Sequence, residues 1–378
     1  MDPAAASPSA SRPSPTTMSA SADAPTASAR PRDRFLDLLR MVSVLRVIAL
    51  HTCSKPPIVY FPWIQWIFPG MPEVFFVSGA VMAATLRRRP WAGVLRGRFR
   101  RLLPPFYVYA VVALAVMIVT DLRSPSPLAT VDRGDVLSFI FPIVRPTGSV
   151  TRVVLWGHLW FLNAFVWVIA LAPLTYWMHR RLKGSPLVLF GLAFIACVAL
   201  DKLGRHGIRS EFYDVTLFGW FFQLGYLYDD GILQRIRPRV HLAIGAVLGV
   251  AGWTVAERIE PVWRKGLNEL YGSQSGHLLI GAAWMFGAFA AREPIQRWLA
   301  HRSGRGLDLV TRRTYTLFIW GPSANALAFA AVRHFGLNRV LYFAVTSASL
   351  FGLLLAFGWV EDVAAKRKPE LLPGWRLG

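Results

Sequence analysis

Residues 102–120 read LLPPFYVYAVVALAVMIVT, nineteen consecutive positions without a charged side chain. As a helix rising 1.5 Å per residue this stretch is about 28 Å long, close to the roughly 30 Å hydrocarbon thickness of a bilayer. The cluster Arg96, Arg98, Arg100 and Arg101 abuts its start, as basic residues flank the inner end of a membrane span. Outward from it the pattern repeats. Nine further apolar blocks lie at about 35–53, 64–86, 153–177, 186–200, 212–228, 240–256, 277–291, 314–332 and 340–360, while 137–144 is too short to span. The sequence therefore predicts an all-α integral membrane protein, a bundle of about ten transmembrane helices. Pro69, Gly70 and Pro72 interrupt the second block, a break tolerated only where protein or a cavity shields the freed backbone groups.

Composition agrees. The chain has 378 residues, is 54% hydrophobic and carries 15 Trp and 25 Phe, an aromatic load that suits interfacial belts. The net charge of +21 invites a nucleic-acid reading, but its distribution excludes one, because the basic residues sit in short loops between apolar blocks. With the N-terminus inside, 27 of the 42 Lys and Arg fall in inner segments and 13 in outer loops, and Arg40 and Arg46 lie within the first helix. That bias places both termini in the cytoplasm and makes the chain a multi-pass protein of the plasma membrane. Residues 1–33, rich in Ala, Ser and Pro, are expected to be a disordered cytoplasmic tail. Residues 34–362 form the membrane domain, and 363–378 a short basic cytoplasmic tail. Two cysteines, Cys53 and Cys197, are too few for a metal site, and none is expected. Both fall near outer helix ends, so a disulfide is conceivable beside the plainer reading of two small packing residues.

Ionisable side chains at membrane depth are costly and point to function. Arg40 and His51 are eleven residues apart, so they share a helix face about 17 Å apart along the axis. A snorkelling arginine and a wet interfacial histidine are the structural alternatives. Arg46 faces elsewhere and suits pairing with a carboxylate. Glu73, just after Pro72, reaches a depth similar to His51. It is read either as the carboxylate that orients a histidine base or as internal glue with Arg46. Arg98, Arg100 and Arg101 precede the third helix, where they hold phosphate oxygens or anchor to anionic lipid. His158, Trp160 and Asn163 open the fourth helix on what reads as an outer surface, where a sugar would find polar partners and a stacking face.

These segments together resemble the membrane-bound acyltransferase 3 family, whose members acylate hydroxyl groups on surface glycans, lipids and some antibiotics. The family's first helix carries Leu-Asp-Gly-Leu-Arg with ten residues between the Arg and a His. Leu36-Asp37-Leu38-Leu39-Arg40 and His51 are similar, with Leu38 in place of the Gly. Glu73-Val-Phe75-Phe76-Val77-Ser78-Gly79 resembles the opening of the second family helix. Arg98 through Pro105, His158 through Leu162, and Tyr315 through Trp320 resemble later segments. The resemblance implies acyl-CoA as donor, no metal, and no nucleic acid. The acceptor it implies is a hydroxyl of a cell-surface glycan, glycolipid or glycosylated metabolite at the membrane. In that reading His51 is general base or acyl carrier, with Glu73 and Arg40 beside it. Arg98, Arg100, Arg101 and Arg40 bind the donor, and His158, Trp160 and Asn163 the acceptor. A transporter or flippase of glycans or lipids, moving its substrate unmodified along Arg40, Arg46 and Glu73, is the rival.

Overall fold

The computed structural model describes residues 33–55, 59–60, 66–67, 69–122, 133–143, 157–203, 210–259, 274–301, 305–336, 338–372 and 375–376. The expected tail at 1–32 lies outside them. The described chain runs α1 (Arg34–Cys53), β1 (Ser54–Lys55), β2 (Val59–Tyr60), α2 (Met71–Leu86), α3 (Trp91–Leu122) and α4 (Arg133–Ile140). A 3-10 turn at Gly157–Leu159 leads into α5 (Trp160–Arg181), followed by α6 (Ser185–Lys202), α7 (Ser210–Asp229), α8 (Ile232–Arg235) and α9 (Pro238–Thr254). After a π turn at Val255–Ile259 come α10 (Gln274–Ala290), α11 (Arg292–Ala300), α12 (Arg305–Arg312), α13 (Thr314–Phe335) and α14 (Arg339–Ala364). The chain closes with β3 (Glu370–Leu372) and β4 (Trp375–Arg376). Among the described residues the β structure is two antiparallel two-stranded ladders, β1 with β2 and β3 with β4. The architecture is otherwise all-α.

Each apolar block of the sequence holds one long helix: α1, α2, α3, α5, α6, α7, α9, α10, α13 and α14. Six of them, α3, α5, α6, α9, α13 and α14, are long and apolar enough to cross a membrane, and the bent pair α10–α11 makes a seventh. The others fall short for identifiable reasons. α1 contains Arg34, Asp37, Arg40 and Arg46, and α2 has only 16 residues. α7 includes Glu211, Asp214 and Asp229. The molecule is a multi-pass membrane-spanning bundle. Its outer helices show their apolar side chains to the surroundings: Val188, Leu189, Leu192 and Ile195 on α6, and Val247 and Val250 on α9, are exposed. Such surfaces are stable only in lipid.

The charge-bearing and short helices are the interior ones. α2 packs along α7, where Phe75, Phe76, Phe221 and Phe222 are fully buried. Their approach depends on two glycines. A Cβ on Gly79 would collide with the Phe222 carbonyl, and one on Gly225 with the backbone of Phe76 and Ala80. Small residues at such crossings let helix backbones come together in membranes.

The second apolar block does not helicise at 64. The helix starts at Met71, because Gly70 adopts φ +90° and Pro72 follows in the first turn. A side chain at Gly70 would also meet Arg46, Val47 and the Ser43 carbonyl of α1. This turn therefore rests directly on the first helix and places Glu73 deep in the bundle. Cys53 and Cys197 are both free thiols, so the disulfide alternative is not formed.

Candidate functional site

α1 is the element around which the site is arranged. It contacts α2 on one side and α13 on the other. Its Ile48 lies against Gly321 of α13, and Thr52 donates to Asn325 Oδ1 at 2.9 Å. Tyr342 of α14 donates to the Thr52 carbonyl at 3.4 Å. These contacts fix the rotation of α1 about its axis, and with it the directions of Arg40, Arg46 and His51.

At the arginine-rich end, Arg40 and Arg98 come within electrostatic reach of one another across α1 and α3, and Arg98 also feels Arg101. Arg101 in turn faces Arg89, Arg100 and Arg367. Arg40 and Arg98 are half-buried, while Arg100 and Arg101 are exposed. The charges that shift Arg98 and Arg101 most are other guanidinium groups. Like charges gathered this way repel, and an anion bound between them removes that cost. Guanidinium groups supply the planar, bidentate geometry that phosphate oxygens accept.

One turn beyond Arg101, α3, α13 and α14 meet along an apolar seam too narrow to hold a water molecule. It is lined by Pro105, Val108, Thr316, Ile319, Trp320, Phe357 and Val360. The prolines Pro104 and Pro105 inside α3 cannot donate to the helix ladder, so this wall is free to bend. On the far wall Trp320 stacks on Phe357, with ring centroids 4.1 Å apart.

Beyond the seam the packing leads to two histidines. Trp320 touches Tyr109 edge-on at 4.9 Å, and Tyr109 touches His158 edge-on at 5.6 Å. Tyr109 and Ser323 share a hydrogen bond of 3.2 Å between their hydroxyls. His158 donates from Nε2 to the Ile319 carbonyl at 3.0 Å. A carbonyl only accepts, so this bond assigns the proton of the neutral ring to Nε2. Nδ1 is buried and has no hydrogen-bond partner, which leaves a lone pair for an incoming donor. His158 and His51 lie within electrostatic reach of each other.

A second polar group sits between α1, α2 and α10. Glu73 is 0% exposed, and the guanidinium of Arg46 acts on it. Neither carboxylate oxygen meets a donor at hydrogen-bonding geometry, although the backbone of Gly70 and of Glu73 itself lies close. His277 of α10, buried, is within reach of the same Arg46. Its ring is edge-on to Phe218 at 5.7 Å, and Phe218 also meets Trp160 at 5.4 Å and Phe75 at 4.9 Å.

The structure thus brings together Arg40, Arg98 and Arg101 at one end and His51 with His158 further in. Arg100 lies beside them and donates to the Ala364 carbonyl at 3.4 Å. Glu73 lies within electrostatic reach of Arg46. His158 and Asn163 are not on an outer surface: they are 5% and 2% exposed. The aromatic segment around them packs into α7 and α13 rather than facing water. Both amide atoms of Asn163 lack a hydrogen-bond partner, while Trp160 remains half-buried. Sequence reading missed Tyr109, His277 and Arg367. Only His277 carried a local signal, as a titratable residue at the start of an apolar block.

The sequence model of a family described as "Acyltransferase domain" matches residues 33–359. No curated protein and no solved structure matches the chain.

Proposed function

This chain belongs to that acyltransferase family, and from this premise we propose that His51 is the base of an O-acyl transfer between cytoplasmic acyl-CoA and a hydroxyl acceptor. Family membership makes the protein a membrane-bound acyltransferase and sets aside a transporter that moves its substrate unmodified. In this reading all ten long helices cross the plasma membrane with both termini in the cytoplasm. Residues 34–362 are the catalytic unit, and 363–378 follow it as a basic segment.

Arg40, Arg98, Arg100 and Arg101 take the phosphates of acyl-CoA, and the pantetheine arm enters past Pro105, Ile319 and Trp320, where α3, α13 and α14 part to admit it. The acyl group, short and most simply acetyl, arrives near Tyr109 and the two histidines. His51 removes the proton from the acceptor hydroxyl as its oxygen attacks the thioester carbonyl carbon. When the C–S bond breaks, the imidazolium returns that proton to the departing thiolate. The products are the O-acyl acceptor and free CoA. General-base help of this kind contributes about 10²–10⁴ in rate.

His158 stands next to the base and holds its own ring in place through Ile319. Its Nδ1 and the Asn163 amide are polar atoms suited to hydrogen bonds with sugar-type hydroxyls, and Trp160 offers a ring face for stacking. Glu73 acts through Arg46 and the α1–α2 packing. The acceptor is a carbohydrate-type hydroxyl on a surface glycan, glycolipid or glycosylated metabolite.

One observation carries the reading. From the arginine cluster the apolar seam of α3, α13 and α14 leads through the ring contacts of Trp320 and Tyr109 to His158, with His51 in electrostatic reach of it. The test is to incubate membranes holding wild type, His51→Ala or Arg40→Ala with labelled acetyl-CoA, and to follow both thiol release and acyl incorporation. His51→Ala should lose at least a hundredfold in rate, and Arg40→Ala should weaken donor use. Full activity in His51→Ala overturns the mechanism.

A further inference from the structure

The segment after α14 does not run free. Asp362, 4% exposed, accepts an ion pair from Arg313 Nη2 at 2.7 Å and another from Arg367 Nε at 3.2 Å. Arg367 N–H bonds back to the Asp362 carbonyl at 2.8 Å, a tight return that Lys366 permits with φ 57°. Arg367 Nη2 donates to the Arg312 carbonyl at 3.2 Å. Glu370 completes the clasp: its N–H donates to Asp362 Oδ2 at 3.3 Å, and its carbonyl accepts from Arg313 Nη2 at 2.5 Å. A flexible basic tail would make none of these bonds.

The clasp sets Arg367, half-exposed, within reach of Arg101. The anion site therefore has two poles. Arg40 and Arg98 form a half-buried pole where α1 meets α3, and Arg89, Arg101 and Arg367 form one at the rim. Coenzyme A carries phosphate at two separated places, the 5′-diphosphate joined to pantetheine and the 3′-phosphate of the ribose. The pole on α1 lies on the way to His51, so the diphosphate belongs there.

We infer that Arg367, held by Asp362 against the rim of the donor site, binds the 3′-phosphate of acyl-CoA together with Arg101. This rests on the acyl-CoA reading proposed above. The C-terminal segment is then a working wall of the donor site. A lipid headgroup phosphate has the same chemistry as the 3′-phosphate, so the experiment must separate the two.

Binding of CoA and of 3′-dephospho-CoA to the purified full chain in lipid nanodiscs, followed by calorimetry, tests this without knowledge of the acceptor. Wild type should bind CoA more tightly than 3′-dephospho-CoA. Arg367→Gln should lose roughly tenfold for CoA and nothing for 3′-dephospho-CoA, so that the two ligands converge. Arg367→Lys, which keeps the charge and the clasp's polarity, should fall between, and it carries the test if Arg367→Gln does not fold. The same loss should appear in nanodiscs with and without anionic phosphatidylglycerol. Equal losses for both ligands, no loss for CoA, or a loss confined to anionic nanodiscs overturns the proposal and leaves the donor reading standing. Absence of CoA binding by wild type overturns both.

Discussion

Glu73 poses the sharpest question for a single residue. A carboxyl group at 0% exposure is either neutral or offset by an opposite charge, and the Arg46 guanidinium is the charge within reach of it. Breaking such a pair on one side leaves an uncompensated buried ion and costs about 3–5 kcal/mol, whereas replacing both by apolar residues costs far less. Arg46→Met alone should therefore lower the thermal midpoint of the detergent-solubilised protein sharply, and Arg46→Met with Glu73→Met should recover most of it. The double variant staying as low as the single one would show that the two do not act as a pair. Arg40 and His51 were legible in the sequence because their relation is local, three turns along one helix. Tyr109, His277 and Arg367 were not. The first is one aromatic among many, and the other two matter only through partners that tertiary packing supplies.

Helices as elements were legible for a related reason. Membrane helices satisfy their own backbone groups, so apolar length alone announces them, and every one of the ten blocks became a helix. The start of α2 was legible only as a break, at Pro69-Gly70-Pro72. That the broken part becomes a turn seated on Ser43, Arg46 and Val47 depends on the fold. The crossing of α2 with α7 gives the element-level prediction. Gly79→Ala puts a methyl into the Phe222 carbonyl, and overpacking of this kind costs about 1–3 kcal/mol. Gly97→Ala, at a position with open space around it, is the control. Size-exclusion profiles and thermal midpoints should show Gly79→Ala destabilised and Gly97→Ala unchanged. Equal behaviour of the two would remove the close crossing as a cause of stability.

For the whole molecule the decisive property is its orientation in the bilayer. In the proposed reading the arginine excess in alternate loops puts both ends of the chain and the donor arginines on the cytoplasmic side, the side of acyl-CoA. Fusions at either terminus to a fluorescent protein that matures only in the cytoplasm should glow. Fusions to a phosphatase that folds only outside should stay inactive. The reverse pattern would turn the donor cluster away from its substrate.

α3 has 32 residues, about 48 Å of helix, against a hydrocarbon layer of roughly 30 Å. With the apolar run 102–120 spanning the hydrocarbon, its first three turns, with Arg96, Arg98, Arg100 and Arg101, stand clear of the lipid tails, among headgroups and water. The hinge prolines mark where this mast enters the membrane. In the proposed reading the nucleotide of the donor is caught above the waterline and only its slender arm goes below, so the enzyme has little dehydration to impose on the most charged part of its fuel.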